Sequence, residues 1–287
     1  MAPTGVAGMV GPTMSDTAAM PTRLALLLVE DNKINQMVAA TLLEGDGYVV
    51  TIAVDGLEAV DRAARDRFDA ILMDVQMPRL DGIEATRRLR GGDGPNRRTP
   101  IIALTANATT ADRERYLSVG MNDCLSKPFE LDVVRAVVAR WVDGGQDSPA
   151  PQSAVPATAE AEDAPVLDES RLAGLEARIA TAKFAAMVRA FVDNAEYRLL
   201  RMAEAKARFD LEGLEREAHS LAGAAANVGA LQLAASARRI EAACRRVGDV
   251  SLDRELELLH RIVPAAQQAL SDRFLGRAAA VSGFPAV

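Results

Sequence analysis

Ile71-Leu72-Met73-Asp74-Val75-Gln76-Met77-Pro78 is the stretch on which the fold of this chain turns. Its leading residues are apolar without alternation, as expected of a strand covered on both faces, and such strands belong to parallel sheets packed between helices. The run stops on a carboxylate and meets a proline soon after. Working outward, short apolar runs recur at 24–29, 49–54, 70–73, 101–104 and 124–126. Amphipathic stretches of helical period separate and follow them at 33–44, 57–67, 83–90, 111–119 and 131–141. This alternation predicts a five-stranded parallel sheet with helices on both sides over residues 23–143.

Beyond it the pattern changes. Residues 144–166 are rich in Ala, Pro, Ser, Gln and Glu without periodicity, and are expected to form a solvated, flexible linker. From 167 to 275 there is no convincing strand; helices are expected near 168–178, 181–207, 211–228, 230–247 and 252–271, joined by short connections into an antiparallel bundle. Residues 1–22 are small, polar and aperiodic and are expected to be disordered, and 276–287 read as a frayed tail. A chain of 287 residues therefore divides into two domains, each long enough to bury a core.

Both folded parts are nearly balanced in charge. Most of the formal charge of -7 comes from Asp16, Asp147, Glu160, Glu162 and Asp163, outside them. No block of like charge marks a nucleic-acid surface. Cys124 and Cys244 fall in different domains without metal-ligand or redox spacing, which fits a reducing cytosol. The N-terminus lacks the basic and apolar regions of a signal peptide, and no segment approaches a membrane span, so the expectation is a cytoplasmic protein without membrane contact.

In a parallel sheet, Glu30 and Asp31 after the first strand and Asp74 at the end of the third converge at the carboxyl edge, where open α/β folds place their sites. Thr105 ends the fourth strand, and Lys127, before Pro128, ends the fifth. Three clustered carboxylates raise one another's pKa unless a cation lies between them. Few carboxylates completed by water and phosphate oxygens suit Mg²⁺ better than an all-protein calcium cage. Asp74 can then attack phosphorus, with the metal and Lys127 neutralising the phosphoryl oxygens and Thr105 donating a hydrogen bond to one of them. An aspartyl phosphatase is the enzyme rival, but it would need a second Asp where Gln76 stands.

These residues, in this order, resemble the receiver domain of bacterial response regulators. The wording Val29-Glu30-Asp31-Asn32 and Met73-Asp74-Val75-Gln76-Met77-Pro78 is similar to the receivers of hybrid histidine kinases. The resemblance implies a flavodoxin-like (βα)5 fold with Asp74 as phosphoacceptor. It makes Glu30, Asp31 and the Gln76 carbonyl the other metal-side groups, Thr105 the switch hydroxyl, and Lys127 the phosphate-binding lysine, whose bond to Pro128 is typically cis. Receivers commonly carry an aromatic residue where this chain has Cys124, and the smaller thiol implies a weaker coupling of phosphorylation to the outer surface.

The second candidate acceptor is His219, in Ala218-His219-Ser220-Leu221-Ala222-Gly223. Leu211, Leu214, Ala218, Leu221, Ala225 and Val228 form the apolar stripe of its helix, so His219 falls one position off the stripe, at the edge of solvent. Asp210 is placed to cap the helix and Gly229 to end it. Ala222 and Gly223 leave the face beyond the histidine bare, and a glycine inside a helix costs about 0.5–1 kcal/mol, which suggests close approach by a partner. Glu215, one turn before, is expected to orient the ring. His260 has no such context and reads as a bundle-flank residue.

The motif resembles that of histidine-containing phosphotransfer (HPt) domains, four-helix bundles from which the histidine protrudes. The glycine four residues on belongs to their docking surface. Many such domains carry a lysine where this chain has Ala222. Receiver followed by HPt implies a two-component phosphorelay protein without a kinase domain, placed between a sensor histidine kinase or hybrid kinase and a downstream response regulator. A linker of about 20 residues spans on the order of 25 Å and permits exchange between Asp74 and His219 at millimolar effective concentration. Two other readings remain at this stage: a phosphorylation-controlled binding protein whose bundle is only an interaction module, and a phosphate sink.

Overall fold

The computed structural model describes residues 23–105, 109–142, 164–246 and 251–275. Both expected terminal segments, and most of the expected linker, lie outside them. Five strands, β1 (Ala25–Val29), β2 (Val49–Ala53), β3 (Ala70–Asp74), β4 (Ile101–Thr105) and β5 (Asp123–Ser126), form one parallel sheet in the order β2-β1-β3-β4-β5. This is the doubly wound, flavodoxin-like order, and its switch point falls between β1 and β3. Helices α1 (Lys33–Gly45), α2 (Gly56–Arg65), α3 (Gly82–Gly91), α4 (Thr110–Ser118) and α5 (Leu131–Val142) follow the strands in turn.

Side-chain alternation divides the core by face. Ile71 and Met73 of β3 pack with Leu27, Val29, Ile101 and Ala103 on the side of α2, α3 and α4. Leu72 packs with Leu26, Leu28, Ile102 and Leu104 on the side of α1 and α5. Both layers are apolar, which is why β3 shows no polar alternation. Local chemistry fixes the helix starts: Asn32, Asp55, Asp81 and Thr109 accept from the first-turn amides of α1 to α4.

The second region is helical throughout its described residues: α6 (Glu169–Arg178), α7 (Thr181–Ala207), α8 (Leu211–Asn227), α9 (Leu231–Cys244) and α10 (Leu252–Leu270), the last continued by a π-helical turn, Ser271–Leu275. Contacts run α7 to α8, α8 to α9, α9 to α10 and α10 back to α7, closing a four-helix bundle with α6 laid beside α7. Asp210 caps α8 by accepting from the Gly213 amide at 2.8 Å. Gly229, at φ +77°, ends it. His260 bonds through Nδ1 only to the Leu256 carbonyl oxygen one turn back.

The two regions pack directly against each other. α1 lies across α7 and α8, and the apolar cluster beneath α1 and α5 runs without a break into the bundle core. Among the described residues no helix is long and apolar enough to cross a membrane.

Candidate functional site

The loop after β1 places Glu30 and Asp31, β3 ends on Asp74, β4 ends on Thr105, and the segment after β5 supplies Lys127; the sheet brings all five to one edge. Glu30, Asp74, Thr105 and Lys127 are almost fully buried. The Lys127 Nζ donates to Asp74 Oδ2 at 2.6 Å and to Glu30 Oε2 at 2.7 Å. Burial works against this ammonium, yet the two carboxylates outweigh it and hold its pKa above the ordinary lysine range. The Lys127–Pro128 bond is cis.

Carboxylate oxygens of Glu30, Asp31 and Asp74 lie within 4.8 Å of one another. One lysine cannot balance three acids. Burial, then the charges of Glu30 and Asp74, push the Asp31 carboxyl up to about 7. An all-oxygen cluster with a carboxyl so disfavoured as an anion fits a hard divalent cation. Gln76, expected to contribute its carbonyl, donates its backbone amide to Asp74 Oδ1 at 3.2 Å. Gly82 lets the following loop close over the site: a Cβ there would stand 2.1 Å from the Asp74 carbonyl oxygen.

The Thr105 hydroxyl is 3.2 Å from the hydroxyl of Tyr116, a buried residue of α4. Sequence reasoning missed Tyr116. Cys124, at the position where an aromatic side chain was looked for, packs in the same apolar cluster, with its Sγ 3.9 Å from Arg113 Nη1. An aromatic hydroxyl thus reaches Thr105 from the helix before β5.

His219 faces this crevice. One narrow cleft is lined by Glu30, Asp31, Asn35, Asp74 and Lys127 from the sheet edge, and by His219, Ser220, Ala222, Gly223 and Arg238 from the bundle. The expectation that His219 sits at the edge of solvent is corrected: its side chain is only 11% exposed, because the α/β domain covers it. The expected orienting acid is corrected too. His219 Nδ1 lies 3.2 Å from Glu241 Oε1 on α9, whereas Glu215 is bound by Arg245 at 2.7 Å. Burial, the largest single influence, opposes a charged ring, but the hydrogen bond and charge of Glu241 together with the Asp74 charge outweigh it and raise the His219 pKa above 6.5.

The interface around the cleft is polar and matched. Asn32 Nδ2 donates to Ser220 Oγ at 2.8 Å and to the Ser220 carbonyl oxygen at 3.2 Å. Asn227 Nδ2 donates to Asn35 Oδ1 at 2.9 Å, and Asn35 Nδ2 donates to Glu30 Oε1 at 2.9 Å. A hydrogen-bonded line thus runs from α8 through Asn35 and Glu30 to Lys127 and Asp74. Gly223 is close-packed as its composition suggested, since a Cβ on it would stand 3.1 Å from Asn35 Nδ2. Asn32 and Asn35 share one face of α1, and Ser220, Gly223 and Asn227 one face of α8. That spacing was the available signal.

Fold and site together define an α/β domain with an acidic crevice at its sheet edge and a histidine-bearing bundle seated on it. Residues 26–139 match the response regulator receiver domain family and residues 186–270 match the Hpt domain family, so the chain joins a receiver domain to an Hpt domain. Its relatives include sensor histidine kinases and hybrid signal transduction histidine kinases. It is 32% identical over 277 residues to the sensor protein GacS of Pseudomonas syringae pv. syringae, covering 95% of this chain and 28% of GacS. It is 32% identical over 225 residues to the sensor histidine kinase AruS of Pseudomonas aeruginosa, covering 78% of this chain and 21% of AruS. The chain thus spans 28% or less of the length of these two relatives. Among solved structures, the receiver domain of a Pseudomonas aeruginosa PAO1 sensor histidine kinase, with a magnesium ion in its active-site cleft, is 49% identical. That match covers 42% of this chain and 99% of that one, with a TM-score of 0.40.

Proposed function

We propose that this chain is a phosphorelay component in which Asp74 and His219 are the two phosphoryl stations and exchange the group within one molecule. The observation that carries the reading is the shared cleft, with both side chains among its lining. Glu241 supports the chemistry. By accepting from Nδ1–H it selects the tautomer whose Nε2 keeps a lone pair for phosphorus. As that nitrogen bonds to phosphorus, the P–O bond to Asp74 breaks and its electron pair returns to the carboxylate. The ring becomes cationic and Glu241 carries the countercharge. The reverse passage retraces the same steps.

Glu30, Asp31, Asp74 and the Gln76 carbonyl would hold Mg²⁺, which when bound supplies positive charge for the phosphoryl oxygens. Lys127 neutralises a further oxygen, and the Thr105 hydroxyl donates to another once it leaves Tyr116. A sensor histidine kinase or hybrid kinase would deliver the phosphoryl group and a response regulator receiver would take it onward. Both partners must displace the docked domain to reach their station, since each station covers the other.

The test compares the intact chain with an equimolar mixture of the Asp74→Ala and His219→Ala chains, each dilute and with Mg²⁺. Label placed on Asp74 should pass to His219 in the intact chain at a rate independent of concentration, and should pass slowly in the mixture. Equal rates in the two samples would sink intramolecular exchange. Label that never becomes acid-labile and base-stable would sink the relay itself.

A further inference from the structure

Beyond His219, α8 offers a phosphoryl group no cation, and Arg216, one turn before the histidine, is held by Glu212 at 2.8 Å. One turn beyond the histidine stands Ala222, 2% exposed, and next to it Gly223, held against Asn35. A phosphoryl group brings about 1.5 to 2 negative charges. It enters a cleft that already holds three carboxylates, and its one lysine is engaged by two of them. A second permanent cation is required from the bundle side.

The neighbouring helix provides it. Arg238, two turns into α9, lines the cleft together with Asp74, Lys127 and His219. It is the one Lys or Arg side chain that the bundle contributes to that lining. Among the described residues it makes one long hydrogen bond, Nη2 donating to the Lys127 carbonyl oxygen at 3.4 Å. No carboxylate among the described residues pairs with it, whereas neighbouring arginines are committed. Arg239 binds Glu255 at 2.5 Å, Arg245 binds Glu215 at 2.7 Å and Glu241 at 2.6 Å, and Arg198 binds Glu217 at 2.6 Å. Burial pushes the Arg238 pKa below the ordinary guanidinium value, with the more distant Glu241 charge opposing it only in part.

We infer that Arg238 is the bundle's phosphoryl-binding residue: its guanidinium grips the phosphoryl oxygens while the group is shared between Asp74 and His219, opposite Lys127. The planar fork suits two oxygens of one phosphoryl group, and its present bond to the Lys127 carbonyl parks it at the rim without a strong competitor. The role is catalytic, since it requires contact with the reacting group, and it rests on the exchange proposed above.

The experiment loads the full-length chain at Asp74 with a small acyl phosphate donor and Mg²⁺. It then follows passage of label to His219, normalised to the Asp74 phosphate present at the start, in wild type, Arg238→Ala, Arg238→Gln and Arg238→Lys. The expected result is a loss of about 100-fold in the alanine and glutamine chains, the size expected when one preorganised charge donor is removed. The lysine chain should recover about tenfold of this, because it restores charge but not the fork. Hydrogen exchange of the α1 and α8 amides, followed in parallel, should be unchanged. Wild-type rates in Arg238→Ala would overturn the assignment. So would loss of α1 and α8 protection in that chain, which would make Arg238 a docking residue. If the wild type itself passes no label, the exchange reading fails and this inference fails with it, an outcome distinct from both.

Discussion

The pair of His219 and Glu241 shows how one carboxylate decides what a histidine can do. Burial alone would lower the histidine pKa; the Glu241 hydrogen bond and charge together with the Asp74 charge reverse the sign, opposed by Lys127. Glu241 is shifted down in turn, despite burial, by His219, Arg245 and Arg238. A histidine raised above 6.5 stabilises the fold below that value and loses the contribution as pH rises through the folded pKa. A glutamate lowered below 4.5 stabilises above that value and loses the contribution as pH falls through its folded pKa. The pair therefore stabilises the bundle between the two folded values. Glu241→Gln should lower the His219 titration midpoint, read by NMR of the ring protons in Mg²⁺-free protein, and flatten the pH dependence of urea unfolding across that window. A midpoint that stays or rises would show that another group sets it. Glu241 was not legible beforehand, because Arg238-Arg239-Ile240-Glu241 reads as the solvated side of an amphipathic helix. Asp74 and Lys127 were legible, because each follows an apolar run whose strand character fixes where it ends.

The elements themselves were readable from periodicity, with ends displaced by a few residues at most. Non-alternating runs became the strands, and the stripe on α8 became its buried face. What periodicity could not find are polar residues that tie connections together. Asn96, in the segment between α3 and β4, is 1% exposed. Its amide donates to the Ala63 and Asp66 carbonyl oxygens, each at 2.6 Å, and accepts from the Phe68 amide at 2.9 Å. Asp123 does similar work at the start of β5, accepting from Arg113, Arg140 and Trp141. Neither residue lies in a periodic stretch that would mark it as buried. Asn96→Ala leaves several buried backbone groups without partners and should cost about 2–4 kcal/mol in urea denaturation. A loss below about 0.5 kcal/mol would mean that the connection relaxes to find other partners.

At the scale of the whole molecule, the order of domains could be read in advance, and Asp74 and His219 could be singled out, but the docking could not. Asn32 and Asn35 look like ordinary surface residues of α1, and Ser220 and Asn227 like those of α8; only their juxtaposition gives them a purpose. Docking should therefore be sensitive to bulk at its closest point. Gly223→Val sets its branching carbon about where a Cβ would stand, 3.1 Å from Asn35 Nδ2, with two methyls still to place. The expected result is a larger radius of gyration by small-angle scattering and slower exchange between the stations, with helix content kept. An unchanged radius and rate would mean that the interface yields at little cost.

The hydrogen-bonded line from Asn227 through Asn35 and Glu30 to Lys127 and Asp74 has a thermodynamic corollary. Any change at Asp74 that alters how Lys127 and Glu30 are held must alter the affinity of the bundle for the receiver, and by linkage bundle release must alter the free energy of phosphorylating Asp74 by the same factor. On the proposed relay, occupancy of the aspartate and openness of the molecule are conjugate quantities: a partner that captured the exposed bundle would thereby also tune how readily the receiver accepts its next phosphoryl group.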